Sequence, residues 1–219
     1  MSTALKRQSA APKRSLANDL LPLTTQWGMR HLEATVAGDP DAAVSLIGAA
    51  DNNNRGKIVA ALWRHGPPPD VLRAALEAAY EHDHVLRALG HRRLVAALRA
   101  AEFPTGHLPD EVTIWRGGSG GLDLFLSGLS WTMDRDCACW FAMRFADIYP
   151  PPRVVRATVR RAQVLAHLTG RGEDEILVAP FSVKGETDGD IEEWREVARQ
   201  VNQRRAARGR EITGQQIRS

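Results

Sequence analysis

Apolar positions recur every three to four residues from Leu20 to Phe103, then give way to short alternating runs. The chain therefore reads as a helical half followed by a β-rich half. In the first half Ala43, Val44, Leu46 and Ile47 form one stripe, and Ile58, Ala61 and Leu62 form another. Residues 70–80 open after three prolines, with Asp70 placed to cap a helix. Leu86, Leu89, Leu94, Val95 and Leu98 extend the periodicity, which Gly90 breaks. Four or five short helices are expected, with residues 51–57 (Asp-Asn-Asn-Asn-Arg-Gly-Lys) as a loop carrying capping residues.

The texture changes at Phe103-Pro104-Thr105-Gly106. Beyond it, residues 112–115, 129–132, 154–159, 164–166 and 175–178 read as strands. One helix interrupts them, capped by Thr132 or Asp134, with Ala138, Phe141, Ala142 and Phe145 as its buried stripe. Residues 190–209 read as a final charged helix, and no internal repeat is present. The expected organisation is a disordered basic tail over 1–18, a helical region over 19–105, a β-rich core over 106–189, and a charged helix and tail over 190–219.

At 219 residues, with 43% hydrophobic and 25% charged content, the chain can bury a sizeable core. It contains no apolar run near the roughly 18 residues of a membrane span, so no membrane partner is expected. The basic start leads into no apolar signal-type stretch, which predicts a cytoplasmic location. Cys137 and Cys139 are too few and too close for a disulfide framework or a zinc site, and read as helix core. His82 and His84 would stand about 200° apart around a helix, and with His91 they give no metal site. The net charge of +3 is unevenly placed: +4 over residues 1–18, +5 over 195–219 and −6 between them. The basic ends could hold nucleic acid or an acidic partner, but solvated ends are the preferred reading.

Three features of the second half could carry chemistry. Trp115-Arg116-Gly117-Gly118 ends a strand with a guanidinium able to fork a phosphate, and glycines that leave room for a ligand. Taken alone, it reads far more readily as a surface arginine before a flexible Gly-Gly-Ser-Gly-Gly loop. Leu129-Ser130-Trp131-Thr132 puts two hydroxyls on one face and the indole on the other. Its plainer reading is a half-exposed strand with a capping threonine. Gly172-Glu173-Asp174-Glu175 places two carboxylates at i,i+2 ahead of an apolar strand. One could stabilise charge on a sugar ring while the other takes a proton from a nucleophile. An acidic turn is the simpler alternative.

In this order, over residues 110–185, the three features resemble the arginine–serine–glutamate class of mono-ADP-ribosyltransferases, in its compact bacterial and phage form. The resemblance implies an α+β protein, with the helical N-terminal region packed on a split β-sandwich ADP-ribosyltransferase core. It implies NAD as cosubstrate, no metal, and transfer of ADP-ribose to a target protein with release of nicotinamide. Arg116 and Gly117 would bind NAD, Ser130 and Thr132 would hold the nicotinamide pocket, and Glu175 would be the catalytic glutamate. Glu173 would deprotonate the acceptor; a glutamate there resembles members that modify arginine, whose guanidinium needs a carboxylate to become nucleophilic. The middle motif departs from the family's Ser-Thr-Ser, and only 14 residues separate Arg116 from Ser130. The implied setting is a toxin or phage effector. Two alternatives stay open: an NAD glycohydrolase, and a non-catalytic binding module that uses the basic ends.

Overall fold

Helical periodicity in the first half is realised as α1 (Leu16–Leu20), α2 (Met29–Ala37), α3 (Pro40–Ala49), α4 (Asn52–His65), α5 (Pro69–Tyr80) and α6 (His84–Ala100). The computed structural model describes residues 15–80, 84–149, 151–170 and 174–216, without the side chains of His84 and 208–216. Contacts divide the chain after Ala97, inside α6 and ahead of the boundary expected at residue 105. In the first unit α3 packs on α2 and α5, and α4 packs on α5 and α1. Leu46, Ile47, Ile58, Leu62, Leu72 and Leu76 are among the large side chains sealed inside.

Local rules account for the helix ends. The Asp39 carboxylate accepts the N–H groups of Asp41 and Ala42 at 2.9 and 3.1 Å and caps α3. Gly38 and Gly66 close α2 and α4 in the left-handed conformation. Gly90 has φ 70° and kinks α6, as the broken periodicity predicts. Four readings are corrected. Ser15 caps α1, so helix begins within the tail expected over 1–18. Residues 52–57 are helical rather than looped, because burial of Gly56, Ile58 and Val59 outweighs the weak helix propensity of three asparagines. Asp70 lies inside α5 rather than before it. Val44 is 42% exposed, since the buried line runs through Ala43, Leu46 and Ile47 and leaves it to one side.

The second unit is built on β1 (Glu111–Ser119), β2 (Ser130–Thr132), β3 (Pro152–Arg160), β4 (Val164–Leu168), β5 (Glu175–Val178) and β6 (Gly185–Thr187). Its helices after α6 are α7 (Leu122–Leu126), α8 (Arg135–Met143) and α9 (Ile191–Gln216). The mixed composition is that of an α+β protein. The strands form one antiparallel sheet, ordered β4-β5-β2-β1-β3-β6, rather than two separate ones. Its pairing narrows at one place: β1 meets β2 only through Trp115 and Thr132, whereas β1 and β3 pair over nine positions. On one face Val112, Ile114, Trp131, Val155 and Ile176 form the main core. On the other, Ala138, Cys139 and Ala142 of α8 close over Val154 with Trp194 of α9.

Asp134 caps α8 by accepting the Asp136 N–H at 2.9 Å. The helix ends at Met143, so Phe145 falls outside it and is 47% exposed, contrary to its expected place in the stripe. The segment expected as a Gly-Gly-Ser-Gly-Gly loop is strand through Ser119, because β3 pairs with every residue of it up to that point. The last helix runs past residue 209 to Gln216. Among the described residues no helix is long and apolar enough to cross a membrane.

Candidate active site

Strict alternation along β2 sends Trp131 into the core, where it is 2% exposed, and Ser130 and Thr132 to the opposite face. β5 then brings its first residue alongside. Ser130 pairs with Leu177 and Thr132 with Glu175, so Glu175 lies diagonally across from Ser130 on the same face. The Ser130 hydroxyl donates a hydrogen bond to Glu175 Oε1. Two residues separated by 45 positions, and singled out on different motifs, are thus in direct contact. Glu173 lies outside the described residues.

Arg116 follows Trp115 at the narrow junction between β1 and β2. Its Nη1 donates to the Ser130 carbonyl at 3.1 Å, which ties the guanidinium to the strand that carries the site serine. The guanidinium also lies flat against Gly128: a Cβ there would fall 1.4 Å from Nη1 and 2.0 Å from Cζ. Gly128 is the residue that the motifs did not reveal, since in sequence it is an ordinary turn glycine before a strand. Gly128→Ala should displace the guanidinium while costing only about 1 kcal/mol of stability, the worth of one hydrogen bond. A crystal structure of the variant alongside thermal unfolding would separate the two effects, and the expected result is a displaced guanidinium on a nearly unchanged fold.

Two expected ligand contacts have structural work instead. A Cβ on Gly117 would lie 1.7 Å from the Ala138 carbonyl oxygen, so the space beside this glycine is filled by the α8 backbone rather than open to a ligand. Thr132 is 7% exposed, and its hydroxyl accepts the Asp134 N–H at 3.0 Å, closing the turn into α8. Of the six residues singled out, Ser130 and Glu175 meet on the face that α8 covers, and Gly117 and Thr132 seat α8 on that same face; alternation sends Arg116 to the opposite face, from which its guanidinium reaches the Ser130 carbonyl.

No protein family, curated protein or solved structure matches the chain. Its site therefore stands on its own geometry.

On the same face of the sheet a polar lock holds β1, α8 and α9 together. Asp188 Oδ2 accepts from Trp115 Nε1 at 2.7 Å and from Arg135 Nε at 2.9 Å. Arg135 reaches on to Glu193 at 2.9 Å, and Trp194 Nε1 donates to the Asp188 carbonyl at 2.8 Å. Burial pushes the Asp188 carboxyl up, but the hydrogen bonds from Arg135 and Trp115 outweigh it and hold it below its ordinary value of 3.8. A carboxyl lowered by folding stabilises the protein above its unfolded value, and that stability is lost as pH falls through the folded one. Asp188→Asn should therefore be less stable than wild type at neutral pH. The gap should narrow once pH drops below 3.8, as read by thermal unfolding across a pH series. Burial raises the Cys139 thiol to about 11, so it stays protonated as core packing. Among the described residues no group of three His, Cys, Asp or Glu side chains is placed to hold a metal ion.

Proposed function

We propose that the protein is an NAD-dependent mono-ADP-ribosyltransferase that moves ADP-ribose from NAD to a protein side chain, arginine preferred. The observation that supports this reading is the hydrogen bond between Ser130 and Glu175 on a strand whose Ser130 carbonyl is held by the Arg116 guanidinium, where the sheet is joined by a single residue pair. The chemistry needs a carboxylate held still next to a sugar whose ring turns positive as its bond to nicotinamide breaks. Glu175 supplies that charge, and a hydrogen bond from Ser130 fixes where it points. Arg116 offers a planar cation suited to the phosphates of a dinucleotide. Nicotinamide leaves with the bonding electrons, the acceptor nitrogen bonds to the ribose carbon, and the acceptor's proton passes to a base, a role that falls to Glu173 on sequence grounds. A junction with so little backbone pairing is where a ligand would enter between the two halves of the sheet.

The test is nicotinamide release from labelled NAD, with and without cell lysate. Release that rises with lysate, together with label fixed on a protein band and removed by hydroxylamine treatment, is the expected result. Release of equal size without lysate and with no labelled protein would replace transfer by NAD hydrolysis. No release in the presence of measurable NAD binding would remove the enzyme reading.

A further inference from the structure

Asp174, immediately before Glu175, has φ 43°, a left-handed conformation that non-glycine residues keep only where neighbours hold them. Two contacts hold it. Its carbonyl accepts the Met133 N–H at 3.0 Å, and its Oδ1 lies 3.5 Å from Nε2 of His167. His167 stands on β4, one position from the residue that pairs with Glu175, and its side chain is 10% exposed. Its Nε2 is buried and makes no hydrogen bond within the described residues, so the Asp174 carboxylate is the polar group nearest to satisfying it. On the other side of the ring, Nδ1 is 2.7 Å from Nε2 of His107, and the two rings stack with centroids 5.1 Å apart.

One tautomer of neutral His167 suits both neighbours. Its Nδ1 accepts from His107 Nε2–H, which leaves Nε2–H directed at the carboxylate of Asp174. The opposite tautomer would set a lone pair against that carboxylate. His107 thus selects the proton position, and His167 passes the constraint to the turn.

We propose that His167, oriented by His107, is a positioning residue that fixes the left-handed turn at Asp174 and so aims Glu175 at Ser130. As a statement about turnover this rests on Glu175 being catalytic; as a statement about geometry it does not. Asp174 directly precedes the residue that carries the carboxylate, so a small rotation there is enough to misplace it, and misplacement near 1 Å costs up to about 100-fold in rate.

The test compares full-length wild type with His167→Leu, His167→Gln and Asp174→Gly, using nicotinamide release over a range of NAD concentrations and crystal structures of the wild type and of each variant. His167→Leu and Asp174→Gly should lower kcat by about 10- to 100-fold and leave KM for NAD within about twofold. His167→Gln, whose amide can donate from nearly the same place as Nε2, should recover most of the activity. The double variant His167→Leu/Asp174→Gly should be no slower than the slower single one, because both break one chain of interactions. Wild-type kcat in His167→Leu overturns the proposal. Should that variant not fold, Asp174→Gly decides: glycine adopts the left-handed backbone without strain and removes only the acceptor facing His167, and wild-type kcat there is equally fatal. If the wild-type protein releases no nicotinamide, the proposed function falls, and the crystal structures decide the positioning separately. Movement of Glu175 out of hydrogen-bonding reach of Ser130 in Asp174→Gly supports it, and an unmoved carboxylate overturns it.

Discussion

Glu175→Gln should leave a folded protein whose nicotinamide release is slower by about 100- to 1,000-fold, the range seen when a single group facing transition-state charge is removed. The substitution keeps the shape and the ability to accept a hydrogen bond from Ser130, and deletes only the negative charge. Glu175 is half-buried at the start of β5, with Ile176, Leu177 and Val178 sealed behind it, so the backbone that carries it does not depend on its ionisation. The expected signature is a fall in kcat with KM for NAD little changed, because the charge matters most once the ribose turns positive. Thermal unfolding within about 1 kcal/mol of wild type would tie the effect to chemistry. An unchanged kcat would show that the hydrogen bond between Ser130 and Glu175 is a cross-strand tie with no part in turnover. The same variant separates the enzyme from a basic-tailed binding module, which would be indifferent to it.

Gly117→Ala should be the most destabilising single methyl in the second unit, by about 3 kcal/mol or more. The added carbon would sit 1.7 Å from the Ala138 carbonyl oxygen, 2.6 Å from its carbon and 2.9 Å from the Ala142 nitrogen. All three atoms are helix backbone, so no side chain can swing aside, and α8 would have to lift from β1. That movement would also loosen Cys139, Ala142 and Trp194 from Val154. Urea unfolding would read the effect directly. A destabilisation below about 1 kcal/mol would mean that α8 can shift along the sheet at little cost. Gly128 presents the opposite case: there the atom in the way is the far end of a long side chain, so function should suffer more than stability.

Much of the site was legible because its parts depend on short-range rules. Alternation separates Ser130 from Trp131 on any strand, and an acidic turn before an apolar run places Glu175 at a strand start. What the sequence could not disclose are matters of long-range approach. The closeness of α8 to Gly117 depends on how a helix settles on a strand about twenty residues earlier, and nothing local distinguishes that glycine from one serving a ligand. The hydrogen bond from Trp115 to Asp188 spans 73 residues. β6 has no apolar alternation at all, since Gly185, Glu186 and Thr187 form a short partly exposed edge whose strand character comes from pairing with β3. In the first unit the asparagines of residues 52–54 point locally to a loop, and only the burial of the residues after them makes the helix.

The single residue pair joining β1 to β2 makes the sheet two plates that share a crease. Backbone bonds stiffen each plate from within, while the crease is spanned by that one pair and by the guanidinium of Arg116 donating to the Ser130 carbonyl. A sheet built this way can breathe about its centre without unfolding either plate. A molecule lodged in the crease would act as a splint, so amide exchange at Trp115 and Thr132 is where the first trace of a bound ligand should be sought.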